Sequence, residues 1–313
     1  MKVKFKHTLK TKSSSLVWTH LAALLVITAW GISFVSTKVL LENQLTPTEV
    51  FVIRTVIAYL VLLLFCHKKL LSNTFRDEAL FLASGLCGSS LYFIAENTAL
   101  EYTLVSNVSL IVTLAPLITT FLVGALYKSE RPSKGMVAGS MIAFLGVGCV
   151  IFNSSFVLSV KPLGDLLALS AAMSWAVFSL VIRKLSAMYT ALFITRKTFF
   201  YGILTAIPFL AFEPESNFSF SVFSNPQVWG NFIFLGIFCS MIAFYLWAWV
   251  IKSIGAIQAN NYLYIQPIVT LIASALILHE KVSAVGYTGC ALILVGVWLS
   301  DRLSVKRPDQ QHG

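Results

Sequence analysis

Glu130-Arg131-Pro132-Ser133, followed by Gly139 and Gly146, is answered 150 positions later by Glu280-Lys281-Val282-Ser283, followed by Gly289 and Gly296. Further upstream, Pro116 is answered by Pro267 at an offset of 151, and Phe51-Val52-Ile53-Arg54 by Phe193-Ile194-Thr195-Arg196 at 142. Trp30 with Lys38 is answered by Trp175 with Arg183 at 145. The offset varies by only a few residues over most of the chain, so one block of segments is written twice with small differences in loop length.

The solvent of that block follows from composition. Of the 313 residues, 57% are hydrophobic and only 12% charged, and the mean hydropathy is +0.82. A water-soluble domain carries roughly twice that charge. The net charge of +10 does not point to nucleic acid, because the basic residues form no stripe and no stacking platform. They cluster in short loops between apolar runs, as membrane topology requires. The basic stretch from Lys2 to Lys12 precedes an apolar run over 16–41, which is longer than the core of a signal peptide and is read as an uncleaved first span. The five cysteines form no CxxC pair and are read as small hydrophobes within helices.

Ten apolar segments follow, near 17–41, 48–66, 79–100, 104–127, 135–153, 163–183, 190–212, 229–251, 255–278 and 284–300. Each has the length an α-helix needs to cross about 30 Å of hydrocarbon. The fold class expected is therefore all-α integral membrane. With the N-terminus in the cytoplasm, seventeen Lys and Arg fall in inner segments and only Lys161 and Lys281 in outer loops, so both termini are expected inside. Five spans is an odd number, so the second copy must enter the membrane upside down. That gives ten transmembrane helices as an inverted 5+5 repeat. The expected divisions are a basic tail over 1–16, a first repeat over 17–153, an outer linker over 154–162, a second repeat over 163–300 and a tail over 301–313. Inverted duplication is the usual ground plan of a secondary transporter.

Ionisable groups inside hydrocarbon are expensive and mark function. Lys38, Arg54 and Glu96 all fall roughly 5–9 Å below the outer boundary at 1.5 Å per residue. Glu96 is expected to pair with Lys38 or Arg54, leaving one net positive charge suited to a carboxylate. Arg196 is the repeat partner of Arg54, whereas Glu96 has Trp247 near its equivalent place. The ninth segment is crowded with amides and phenols, Asn260 and Tyr264 among them, ahead of Pro267; the fourth has Asn107 ahead of Pro116. Proline frees a backbone carbonyl one turn earlier, and broken helices line transport sites. Trp30, Trp175 and Tyr92 are candidates for an aromatic wall, joined by Trp247 and Trp249. The substrate-binding set expected is thus Trp30, Lys38, Arg54, Tyr92, Glu96, Asn107, Trp175, Arg196, Asn260 and Tyr264. The paired glycines give a close-packing face for a neighbouring helix or for a second protomer in a homodimer.

No HExxH, paired intramembrane carboxylates or nucleophilic triad appears, and no GxxxxGK[ST] loop is present for ATP. No enzyme, catalytic residue, metal or cofactor is expected.

The chain resembles the EamA-type members of the drug/metabolite transporter superfamily. The resemblance runs from about Trp18 to Ser300. It rests on Trp30-Gly31, on Ala99-Leu100-Glu101-Tyr102-Thr103, on the Pro116 and Pro267 helices, and on Glu130 and Glu280 with their glycine-bearing spans. It implies a cavity enclosed by spans one to four and six to nine, with five and ten at the side. It also implies export or exchange of a small organic metabolite across a bacterial inner membrane, and the net charge expected near Glu96 points to an amino acid or similar zwitterion or carboxylate. A nucleotide-sugar or lipid-type carrier of the same superfamily is the alternative.

Overall fold

The computed structural model describes residues 2–102, 108, 111–127, 132–151, 162–212, 220–277 and 283–303. Among these the secondary structure is entirely helical. We number the helices α1 (Lys2–Glu42), α2 (Pro47–Phe65), α3 (Phe75–Tyr102), α4 (Ala115–Leu126), α5 (Lys134–Ile151), α6 (Pro162–Leu185), α7 (Ala191–Phe212), α8 (Pro226–Ile254), α9 (Ala256–Ile277) and α10 (Ala284–Arg302). Each falls on one of the ten expected segments. Five stretches are long and apolar enough to cross a bilayer: Leu16–Glu42, Pro47–Phe65, Phe75–Tyr102, Pro162–Leu185 and Pro226–Ile254. Shorter apolar stretches occupy Ala115–Leu126, Lys134–Cys149 and Ala284–Ser300.

Local chemistry fixes the ends. The Thr46 hydroxyl accepts the Glu49 amide at 3.2 Å while the Glu49 carboxylate accepts the Thr46 amide at 2.9 Å. With Pro47 in the first turn, this capping box starts α2 sharply. Thr74 caps α3 through the Asp77 amide. At the end of α8, Gly255 takes φ 88°, a left-handed conformation that glycine adopts without strain, and the chain turns directly into α9.

The surface is apolar and much of the interior polar, as lipid-facing helices require. Leu64 is 74% exposed and Trp298 59%, whereas Arg54, Glu96, Asn260 and Arg196 are buried. Lipid offers no hydrophobic drive for helix pairing, so shape complementarity must hold the bundle.

The glycine faces singled out in the sequence meet each other. A Cβ on Gly139 would lie 2.7 Å from the Gly296 carbonyl oxygen, and one on Gly146 would lie 2.7 Å from the Gly289 carbonyl oxygen. The rising numbers of α5 thus face the falling numbers of α10, and the two helices pack antiparallel within one chain. The close-packing face is an internal seam.

α3 and α8 each contain a π-helical stretch, Leu86–Ser90 and Phe234–Ile242. Cys87 and Ser89 in the first lie 152 and 151 positions before Cys239 and Ser240 in the second. A π turn releases carbonyls from the i→i−4 ladder. Here the Cys87 carbonyl accepts the Ser174 hydroxyl of α6 at 2.7 Å, and the Cys239 carbonyl accepts the Trp30 indole N–H of α1 at 2.9 Å. The same irregularity in each copy therefore binds the first helix of the other copy.

The ninth segment is irregular one turn ahead of Pro267, where the proline frees a carbonyl: α9 is helical over Ala256–Asn261, tightens to a 3-10 turn over Tyr262–Ile265, and resumes at Gln266.

Candidate functional site

Where α1, α3, α4, α6 and α9 converge, a cavity offers about 40 Å³ to the centres of water-sized molecules. Its wall is aromatic, from Trp30, Phe34, Tyr92, Phe93 and Trp175, with Ser33, Thr113, Gln266 and the Glu96 carboxylate as polar groups. That volume holds a few waters at about 10–15 Å³ each, so a metabolite needs the helices to part.

Trp30 is the hub. Its ring meets Trp175 edge-on at 5.2 Å, Trp247 at 5.1 Å and Phe244 at 5.5 Å. Trp175 is held in turn by its indole N–H, which donates to the Asn260 side-chain oxygen at 3.0 Å. The Asn260 amide nitrogen donates to Ser179 at 3.0 Å and to the Ala256 carbonyl at 2.8 Å. Both tryptophans of this aromatic wall are thus anchored to other helices, Trp30 to α8 and Trp175 to α9, which holds the rings in place.

Glu96 is 6% exposed and accepts a hydrogen bond from the Tyr92 hydroxyl at 2.8 Å. Arg54, 2% exposed, lies on the far side of Phe93: its guanidinium carbon stands 4.4 Å over that ring. Arg54 Nε donates to the Ser240 hydroxyl at 2.9 Å. No hydrogen-bonded ion pair joins Glu96 and Arg54 among the described residues.

The expected site residues therefore divide. Trp30, Tyr92, Glu96 and Trp175 line the cavity. Arg54 and Asn260 stand one side chain behind it, Asn260 as the support of Trp175. Lys38 is elsewhere: its side chain is 61% exposed and faces Glu42 at 4.0 Å, one turn along α1. The expected meeting of Lys38 with Glu96 does not occur, because the lysine stem reaches the rim of the bundle instead. Tyr264 is fully buried in a second apolar cluster with Leu117, Ala143, Val147 and Ile293, away from the cavity. Asn107 lies outside the described residues.

Arg196 is also remote from the cavity. It donates to the carbonyls of Cys66 at 2.8 Å, Lys69 at 2.7 Å and Leu70 at 3.2 Å, tying down the segment that follows α2. Its neighbour Lys197 pairs with Glu78 at 2.6 Å, and Glu78 also accepts from Tyr201 and from the Ser72 amide. Asp77 accepts the Tyr189 hydroxyl at 2.7 Å, and Tyr189 in turn accepts the Asn73 amide at 2.8 Å. This network locks the 66–74 segment to the α6–α7 turn and to α7. The sequence singled out Arg196, as the repeat partner of Arg54, but not the groups it binds, which lie more than a hundred residues away. Among the other lining residues, Thr113 and Gln266 belong to the polar stretches ahead of Pro116 and Pro267, whereas Phe34 and Phe93 carried no signal in the sequence.

The EamA-like transporter family model matches residues 17–152 and 162–300, one match per copy of the repeat. An "Uncharacterized transporter" of Archaeoglobus fulgidus is 27% identical over 286 residues, covering 90% of this chain and 96% of its own. A "Probable amino-acid metabolite efflux pump" of Escherichia coli is 24% identical over 284 residues, covering 89% and 93%. A solved chain described only as a protein crystal structure superposes with a TM-score of 0.72 at 20% identity, over 96% of this chain and 99% of its own. That likeness bears on the fold alone.

Proposed function

Because this chain belongs to the EamA-like transporter family, we propose that it exports a small organic metabolite by alternating access through the cavity around Glu96. The observation that carries this reading is a buried carboxylate in an aromatic pocket where helices of both copies meet. A carboxylate flanked by ring faces favours an ammonium group, by charge and by cation–π attraction. Amino acids and their derivatives present such a group, in keeping with the name of the Escherichia coli relative.

The ten helices are read as an inverted 5+5 repeat, with copies over 17–153 and 163–300, an outer linker over 154–162, and cytoplasmic tails over 1–16 and 301–313. Three features support it: the antiparallel α5–α10 seam, the π stretches at matching places, and the Trp30–Trp175 contact between equivalent residues. On this reading the network around Glu78 and Arg196 closes the cytoplasmic half, while the cavity lies toward the outer half of a bacterial inner membrane. Transport then requires the network to open as the outer half closes. Nucleotide sugars and phospholipid headgroups are the less suitable cargo, since no Lys or Arg lines the cavity among the described residues.

The test is a substrate panel in membrane vesicles, run with and without an imposed pH gradient. A metabolite amine or amino acid should move in wild type and stop in Glu96→Gln and Trp30→Ala. Transport unchanged in both variants would refute the site.

A further inference from the structure

Arg54 is placed at a cost that the folded chain does not offset on its own. Its side chain is buried, its Nε is used by Ser240, and its Nη2 has no acceptor among the described residues. A guanidinium presents five donors in a planar fork that matches a carboxylate. Leaving both N–H donors of Nη2 open away from water is unfavourable, and in a hydrocarbon-embedded bundle water is scarce.

Its surroundings define what would fill the opening. Phe93 is shared: one face carries the Arg54 guanidinium and the ring lines the cavity. Phe93 is therefore the side chain that both touches Arg54 and faces the cavity. Charge then decides the ligand. Lys38 faces outward to Glu42, so the charged side chains at this place are Glu96 and Arg54, and the pair is neutral overall. In a low-dielectric site an added cation or anion leaves one net charge without a partner, whereas a zwitterion does not.

We infer that Arg54 is the second pole of the binding site: with Phe93 turned aside, its open Nη2 takes the carboxylate of a zwitterion whose ammonium group sits at Glu96. This rests on the cavity being the substrate site and adds the selecting residue and its rule. The site discriminates by net charge, so removing one pole should change which molecule is carried and not merely slow transport.

The probes are matched triples differing by one charged group: serine, ethanolamine and 3-hydroxypropanoate, and phenylalanine, 2-phenylethylamine and 3-phenylpropanoate. Full-length protein in proteoliposomes should carry the zwitterion of at least one triple tenfold faster than its amine or its acid. Arg54→Gln should prefer the amine over the zwitterion, and Glu96→Gln should prefer the acid. Equal transport of amine and zwitterion by wild type would overturn the inference while leaving the transport reading intact. So would an Arg54→Gln protein that still selects the zwitterion, or variants that elute as folded monodisperse protein yet carry none of the three. If wild type carries no member of either triple but moves another metabolite, the zwitterion rule falls alone. If it moves nothing in the wider panel, the transport reading falls with it. Should Arg54→Gln fail to fold, thermal protection of wild type decides: the zwitterion must raise the unfolding temperature more than the amine or the acid, and equal protection refutes the rule.

Discussion

Gly296→Ala tests the packing that holds the two copies together. A Cβ at this position would lie 2.4 Å from the Ala143 amide nitrogen and 2.6 Å from the Gly139 carbonyl oxygen. Both atoms are backbone, so neither can rotate away. Restoring ordinary contact near 3.4 Å means moving α10 from α5 by about 1 Å, and the whole seam loosens with it because packing contacts fall away steeply with distance. Overpacking of this kind costs about 1–3 kcal/mol, offset by about 1 kcal/mol from the better helix propensity of alanine. Gly148 on α5 supplies the control: a Cβ there meets nothing within 4 Å, so Gly148→Ala should be neutral or stabilising by up to about 1 kcal/mol. The two variants, each a single methyl on the same pair of helices, should therefore separate by about 1–3 kcal/mol. At roughly 2–4 °C per kcal/mol, that is a difference of several degrees in thermal unfolding of the detergent-purified protein, with Gly296→Ala the lower. If Gly296→Ala unfolds at or above Gly148→Ala, the seam is not the close backbone contact described.

The network around Glu78 and Arg196 gives a second test. Glu78→Gln or Lys197→Met alone should destabilise by about 2 kcal/mol, less than for a fully buried pair because Glu78 keeps some solvent contact, and the double variant should recover part of that loss; additive losses in thermal unfolding would refute the pairing. Arg196→Ala should free the 66–74 segment, read as faster maleimide labelling of a cysteine at Asn73, and unchanged labelling would show that its three carbonyl contacts are not what holds the segment. Tyr92→Phe removes the hydrogen bond to Glu96 and should weaken substrate binding severalfold in a competition assay, whereas an unchanged affinity would separate Tyr92 from Glu96. Topology is checked with cysteines at Asn73 and Ala187, which flank the Tyr189 contact; both should label from the cytoplasmic face, and labelling from opposite faces would break the inverted reading.

The outline of the bundle was legible because membrane helices announce themselves by length and composition, and because a repeat doubles every signal. The tryptophans at positions 30 and 175 could be paired by offset alone, and they do touch. Glu96 stood out because a carboxylate in an apolar run has few benign explanations. What escaped notice obeys the opposite logic. Phe93 and Phe34 are ordinary among 24 phenylalanines, and only their meeting at one cavity makes them a wall. The fate of Lys38 depended on helix phase: eight residues beyond Trp30, it is turned by roughly 80° from that ring at 100° per residue, and it stands near the end of α1 where its stem reaches water. The π stretches were invisible because an extra residue in a turn leaves no mark on hydropathy, and a run of small residues permits such a turn without requiring it.

The repeat also marks where symmetry ends, and that boundary bears on mechanism. At an offset of 151 the backbone irregularities and Phe93 with Phe244 are kept, yet Glu96 is met by Trp247. Arg54 and Arg196 occupy equivalent places, but Arg196 spends its donors on three loop carbonyls whereas Arg54 keeps its Nη2 open. A rocking motion needs two halves whose packing is nearly equivalent, so that neither outward nor inward arrangement is much preferred. Binding has the contrary need: two carboxylates facing each other across the axis would repel or hold a proton, and two open guanidiniums would leave an uncompensated charge in hydrocarbon. Duplication therefore serves the scaffold, and the chemistry must be written into one copy. The single Glu96 and the single open Arg54 are what that division of labour predicts, with the equivalent arginine of the other copy turned into a fastener for the opposite face.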